Sequence, residues 1–250
     1  MGKIHEALKR AEIDFRRQGL AETIEKPAVP ILTGSQKTER RSNLFEPYDN
    51  LKTNLFSRYP AGRVKSILFN GFFHGGGCTT TAVNFATVLS GDPIKKVLLI
   101  DVNLRTPKLH DIYKTRETAE LAYLVGESGQ LASRIEKVGP GNLYVISCGG
   151  GSIFGPLGLF ESSEFEAFLH EVYDIFDYLI LDAPPVLIYS ECKVLHRMVD
   201  GVVLVFECGK VRKQVALRAK KELEDAGARI LGVVLNKRKY YIPKWLYKRL

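Results

Sequence analysis

From Val64 onward the chain is punctuated by six short apolar runs: Ser66-Ile67-Leu68-Phe69, Val97-Leu98-Leu99-Ile100, Leu143-Tyr144-Val145-Ile146, Tyr178-Leu179-Ile180-Leu181, Val202-Val203-Leu204-Val205-Phe206 and Ile230-Leu231-Gly232-Val233-Val234-Leu235. Each gives way to a helical pattern, which is the rhythm of βαβ units. Runs this continuous suit strands buried on both faces. The expected fold is therefore α/β, a doubly wound, mostly parallel sheet with helices on both sides. Ligands of such sheets sit beyond the carboxyl ends of the strands, so the residues after each run are where chemistry is sought.

Upstream, Ile4, Leu8, Ala11 and Phe15 recur at helical spacing and predict an amphipathic helix over 1–18. That helix either docks on a partner or packs on the body. Residues 19–45 have linker composition, with Pro27, Pro30 and Gly34 among charges. A polar helix is expected from Glu46 to Tyr59, at the start of the main domain over 46–239, and a basic aromatic tail covers 240–250.

After the first run comes Asn70-Gly71-Phe72-Phe73-His74-Gly75-Gly76-Gly77-Cys78-Thr79-Thr80-Thr81, leading into a helix. A glycine-rich turn from strand to helix aims backbone amides at an anion, and the helix N-terminus adds partial positive charge. Gly75, Gly76, Gly77, Cys78, Thr79 and Thr80 are thus candidate nucleotide-binding residues. A tight structural turn is the bland alternative. The usual spacing asks for Lys immediately after the last glycine, where this chain has Cys78; Thr79 keeps the hydroxyl that binds magnesium. Lys65, ahead of the strand, is expected at its far end, so no nearby Lys substitutes. A glycine-rich helix N-terminus is expected to lower the Cys78 thiol pKa.

Two carboxylates stand at strand ends, Asp101 in Leu99-Ile100-Asp101-Val102-Asn103-Leu104-Arg105 and Asp182 in Leu181-Asp182-Ala183-Pro184-Pro185. Beside a phosphate loop such a pair is what Mg²⁺ and an activated hydroxyl require. Alternatively, each caps the turn that follows it. Asn236, in Val234-Leu235-Asn236-Lys237, carries the paired donor and acceptor that read a base edge. A dinucleotide fingerprint is a rival reading, with Gly75-x-Gly77 and Asp101 as the ribose acid, although Thr80 replaces its third glycine.

Together these segments resemble the bacterial tyrosine kinases that govern capsule and exopolysaccharide synthesis and export, within the deviant P-loop, MinD-like ATPases. The resemblance runs from Glu46 to Lys239. It implies ATP or ADP and Mg²⁺ as ligands. Asp101 becomes a metal-associated catalytic Asp, Arg105 its companion, Asp182 a water-mediated magnesium ligand and base, Thr79 a magnesium ligand, and Asn236 the adenine-binding residue. It also implies a membrane-embedded polysaccharide co-polymerase or chain-length regulator as partner, and hence a place at the inner face of the membrane. The departures are Cys78 for the loop Lys and Asn103 for a second Asp. They imply impaired phosphoryl transfer, with an active autokinase as the enzyme alternative. The family's self-association motif, E-x-x-R-x-x-R, becomes Glu46-Pro47-Tyr48-Asp49-Asn50-Leu51-Lys52, with Asp49 at the first basic position.

The formal charge of +8 is concentrated, because six of the 36 basic residues lie in the 14 positions from Lys237 to Leu250, which contain no acid. This distribution speaks against a dedicated nucleic-acid-binding domain, which spreads its bases over a folded face. Tyr240, Tyr241 and Tyr247 match the family's phosphorylated tail tyrosines. The tail also reads as a solvated end or as a contact with anionic lipid. No stretch reaches the length of a membrane span and the start lacks a secretory h-region, so a cytoplasmic chain is expected. Cys78, Cys148, Cys192 and Cys208 are too scattered for zinc or a disulfide framework and are expected as buried thiols.

Overall fold

The computed structural model describes residues 38–115, 135–147 and 155–238, apart from Ala61 and Pro140, together with Glu6 and Lys9. The tail with Tyr240, Tyr241 and Tyr247, most of the 1–18 segment and most of the linker lie outside the described residues. The first described helix, α1 (Thr38–Arg58), starts eight residues before the expected Glu46 and runs through Pro47. It lies on α2 (Cys78–Leu89), with Leu55 buried and the Asn84 amide donating to the Tyr48 hydroxyl at 3.2 Å.

All six expected strands form: β1 (Ser66–Gly71), β2 (Val97–Asp101), β4 (Leu143–Ile146), β5 (Tyr178–Ala183), β6 (Gly201–Glu207) and β7 (Ile230–Asn236). A seventh, β3 (Glu136–Val138), pairs antiparallel with β4 at one edge. The order is β3-β4-β2-β5-β1-β6-β7, and every pairing except β3·β4 is parallel. Alternation along the strands divides the core. Ile67, Phe69, Leu99, Ile180 and Val203 pack with α2, while Leu68, Leu98, Leu181 and Leu204 pack toward α5 (Ser163–Ile175) and α7 (Lys213–Asp225).

Helix α5 shows why the local sequence folds so. Ser162 accepts a hydrogen bond from the Phe165 amide at 3.2 Å, Glu164 and Glu166 sit in the first turn, and Phe165, Phe168, Leu169 and Val172 form the buried stripe. Three shorter helices complete the set among the described residues: α3 (Leu109–Tyr113), α4 (Gly155–Phe160) and α6 (Cys192–Leu195), the last followed by a 3₁₀ turn at His196–Met198.

Burial on both faces holds for the central strands and fails at the β7 edge, where Val233 and Leu235 are 47% and 56% exposed. They border an apolar groove of about 390 Å³ with Phe72, Phe206 and Leu217. Of the cysteines expected to be buried, Cys192 is, Cys78 is partly so and Cys208 is exposed, while Cys148 lies outside the described residues.

Beneath the β1 end lies a buried polar knot. Asn70 donates to the Pro184 carbonyl and faces the Cys192 sulfur at 3.5 Å, and His196 Nε2 lies 3.3 Å from Asn70 Oδ1. Burial holds the His196 pKa down at about 4, and its Nδ1 is buried with no partner among the described residues. A base with a depressed folded pKa contributes stability that is intact above its unfolded pKa, near 6.5, and lost as pH falls toward 4. Wild-type chain is expected to lose about 2 kcal/mol from this residue between pH 7 and pH 5. Urea unfolding of His196→Gln should lack that increment, whereas equal losses in variant and wild type would refute the assignment.

Candidate functional site

The loop between β1 and α2 carries two left-handed glycines, Gly75 at φ 75° and Gly77 at φ 89°. Gly77 is the N-cap of α2 and offers no side chain to its first turn, so those amides keep their anion-binding capacity. A Cβ at Gly77 would overlap the Asn236 amide, so glycine is required there twice over. The loop is held from below by the Val186 amide donating to the Gly71 carbonyl at 2.8 Å.

The sheet brings the two carboxylates together as expected. β5 lies between β1 and β2, and Asp101 and Asp182 are register partners across β2 and β5. Their environments differ. Asp101 accepts backbone hydrogen bonds from Asn103 at 3.1 Å, Lys108 at 2.8 Å and Leu109 at 3.1 Å, so it ties down the turn leading into α3. Asp182 is 1% exposed, and neither of its oxygens has a hydrogen-bond partner among the described residues, although Cys78 and Thr79 face it. Burial raises both pKa values, to about 7 for Asp101 and about 6 for Asp182, and the Asp182 charge raises Asp101 further.

An unpartnered buried carboxylate facing a threonine hydroxyl beside a phosphate loop suits a divalent cation completed by phosphate oxygens and water. Among the described residues no group of three or more His, Cys, Asp or Glu could hold a metal by itself. The residues therefore fit Mg²⁺ brought in with a nucleotide.

The Cys78 thiol does not have the lowered pKa expected at a helix N-terminus. Loss of hydration comes first and the Asp182 charge second, and together they push it well above the usual thiol range. Asn103 folds back on Thr106, accepting from its amide at 3.3 Å. Arg105 leaves the carboxylate pair: its Nε donates to Glu191 at 3.0 Å and its guanidinium lies 5.2 Å from the Tyr189 ring centre. Tyr189 in turn meets His74 of the loop, 3.2 Å between hydroxyl and Nε2. Tyr189 and Glu191 were not anticipated; they lie in an irregular segment after β5 that has no periodic pattern.

Asn236 reaches the site, but its amide nitrogen donates to the Gly76 carbonyl at 3.1 Å and its oxygen accepts from the Lys237 amide at 2.8 Å. The expectation that no lysine approaches the loop is corrected by the next residue. Lys65 does bind the Tyr173 carbonyl at the other end of the strand, yet the Lys237 ammonium donates to the Gly75 carbonyl at 2.6 Å. The dinucleotide reading fails on topology. A Rossmann sheet sets its first two strands side by side, whereas here β5 separates β1 from β2.

Comparison with known proteins agrees with this geometry. A family profile for an AAA domain matches residues 64–217. The chain is 30% identical over 202 residues to the tyrosine-protein kinase YwqD of Bacillus subtilis (strain 168), covering 81% of this chain and 84% of that one. It is also 30% identical over 220 residues to the tyrosine-protein kinase CpsD of Streptococcus pneumoniae serotype 4, covering 87% and 95%. Among solved structures, the kinase domain of the Escherichia coli tyrosine kinase ETK superposes with a TM-score of 0.73 at 24% identity, covering 86% of each chain. The septum site-determining protein MinD of Pyrococcus horikoshii, complexed with Mg-ADP, gives 0.57 at 18% identity, covering 74% and 76%. These two share the fold, and the sequence relatives carry the assignment further: the chain belongs to the bacterial tyrosine kinase family of P-loop ATPases.

Proposed function

We propose that this chain binds ATP or ADP with Mg²⁺, transfers phosphoryl groups poorly, and acts in capsular or exopolysaccharide synthesis or export as the regulatory partner of a membrane-embedded co-polymerase. The observation that carries the reading is the unpartnered Asp182 carboxylate, which faces Thr79 and has a thiol where a lysine would stand. The amides of the first turn of α2 and the loop at Gly75, Gly76, Gly77, Cys78, Thr79 and Thr80 bind the phosphates. Thr79 and Asp182 hold the metal, and Asp101 supports them from the neighbouring strand. Bound Mg²⁺ would neutralise charge developing on the transferred phosphate. Asp182 is the base for an incoming hydroxyl. Arg105 is held by Glu191 in the resting arrangement and must exchange that ion pair to reach a phosphate.

Asn236 reads adenine once its amide leaves the Gly76 carbonyl. Tyr240, Tyr241 and Tyr247 are the phosphate acceptors where transfer occurs, and otherwise the tail serves as a docking arm. No described helix is long and apolar enough to cross a membrane, so attachment at the inner face goes through the partner. Glu46 and Asp49 are both exposed on α1, and the reversed charge at Asp49 disfavours self-assembly into the family's ring through that face.

The test uses purified full-length chain. ATP and ADP with Mg²⁺ are expected to raise the melting temperature, while phosphotyrosine after incubation with Mg-ATP stays near background. Strong phosphotyrosine that Asp101→Asn abolishes would overturn impaired transfer. A melting temperature indifferent to ATP and ADP would overturn nucleotide binding.

A further inference from the structure

The phosphate loop lacks its own lysine, but it does not lack an ammonium. We propose that Lys237, at the end of β7, is the cation that binds nucleotide phosphate in this chain, in place of the side chain that Cys78 cannot supply. This inference rests on the nucleotide-binding reading above.

Four observations lead to it. First, the Lys237 ammonium donates to the Gly75 carbonyl at 2.6 Å, on the loop itself and 162 positions away in sequence. Second, its position is built. The Lys237 backbone is left-handed at φ 54°, a conformation costly for a residue with a Cβ, and its amide is pinned to Asn236 Oδ1 at 2.8 Å. The Asn236 amide meanwhile grips the Gly76 carbonyl, and Gly77 has no Cβ in the way. In the resting arrangement the strand end is therefore held against the loop at consecutive residues, and the Lys237–Gly75 contact does not depend on the bond that Asn236 gives up to read adenine.

Third, the ammonium is not spent. Its other contact among the described residues is Glu207 Oε2 at 3.1 Å, and that carboxylate also holds Lys210 at 3.1 Å, so the group of three carries net positive charge. An ammonium has three donors, and two are used here. With 49% of the side chain exposed, the third is open to an incoming anion. Fourth, the lysine nearest the loop in sequence, Lys65, is committed to Tyr173 at the opposite end of the strand.

The experiment measures calorimetric affinity of the full-length chain for ADP and adenosine in wild type, Lys237→Gln, Lys237→Arg and Lys210→Gln. Lys237→Gln is expected to weaken ADP at least tenfold and adenosine less than twofold, because only the phosphates meet the ammonium. Lys237→Arg is expected to restore ADP to within threefold of wild type, and Lys210→Gln to change it less than twofold. In a Cys78→Lys background the loss from Lys237→Gln should shrink, since the loop then carries its own cation.

An ADP affinity unchanged by Lys237→Gln, or an equal loss for ADP and adenosine, would overturn the assignment and leave Lys237 a structural latch. If wild type and Cys78→Lys both bind no ADP, the nucleotide reading itself fails and takes this inference with it. A Lys237→Gln chain that melts early without losing ADP selectivity over adenosine also counts against the proposal.

Discussion

Asp182→Asn is expected to make the chain more stable at pH 8 while abolishing its response to Mg²⁺ and nucleotide. The reason is electrostatic. A carboxylate that is 1% exposed is costly to ionise, so burial raises the Asp182 pKa to about 6 against the lowering pull of Thr79 and Cys78, and burial followed by the Asp182 charge raises that of Asp101 to about 7. An acid with a raised folded pKa contributes stability that is fully present below its unfolded pKa, near 3.8, and lost as pH climbs through 6 to 7. Removing the Asp182 charge lifts its own penalty and the smaller, charge-dependent part of that on Asp101, about 2 to 3 kcal/mol, which in a chain of this size is about 5 to 10 °C in melting temperature. The gain should vanish by pH 4. Paired scans at pH 8 and pH 4, with and without Mg-ADP, test it, and a variant that melts lower than wild type at pH 8 would show that Asp182 is held by unseen favourable contacts. The sign is opposite to that of His196, so the two residues are separable in one titration.

The other large effect is a gain. Cys78→Lys is expected to raise autophosphorylation by about 10² or more, the usual worth of a preorganised donor at a site of developing charge. Position 78 opens α2 directly opposite Asp182, so the new ammonium also meets a carboxylate in need of a partner. It should draw the Asp182 pKa back toward the ordinary range. Phosphotyrosine formed per hour is the measurement, with Cys78→Met as the uncharged comparison. No gain in Cys78→Lys, in a chain that still binds Mg-ATP, would place the block elsewhere, with Asn103 and the Arg105–Glu191 pair next in line.

How much of this the sequence made legible depends on the range of the interaction. The six apolar runs became strands because runs of branched and aliphatic side chains are written locally, although burial on both faces holds for the central strands and not for β7. Glu136-Lys137-Val138 has no such pattern and forms an edge strand only because β4 is there to pair with it. The carboxylate pair was readable because strand tips in a parallel sheet share one rim. The difference between them was not, since it depends on which backbone amides the following turn delivers: three to Asp101 and none to Asp182. Tyr189, Glu191 and Lys237 were invisible for the same reason. Each reaches the site from a segment whose local composition reads as loop or strand end, and its role depends on a partner far along the chain.

The lock between β7 and the phosphate loop has a further consequence for how the protein comes into being. The loop at Gly75–Gly77 leaves the ribosome early, while Asn236 and Lys237, which hold it, follow some 160 residues later. Contacts of such long range form late and slow the search for the native state. Nascent chains ending before β7 would carry every glycine of the loop and both carboxylates, yet none of the contacts that hold the loop against the last strand. Synthesis itself thus imposes an order in which the nucleotide site closes only once β7 has been made.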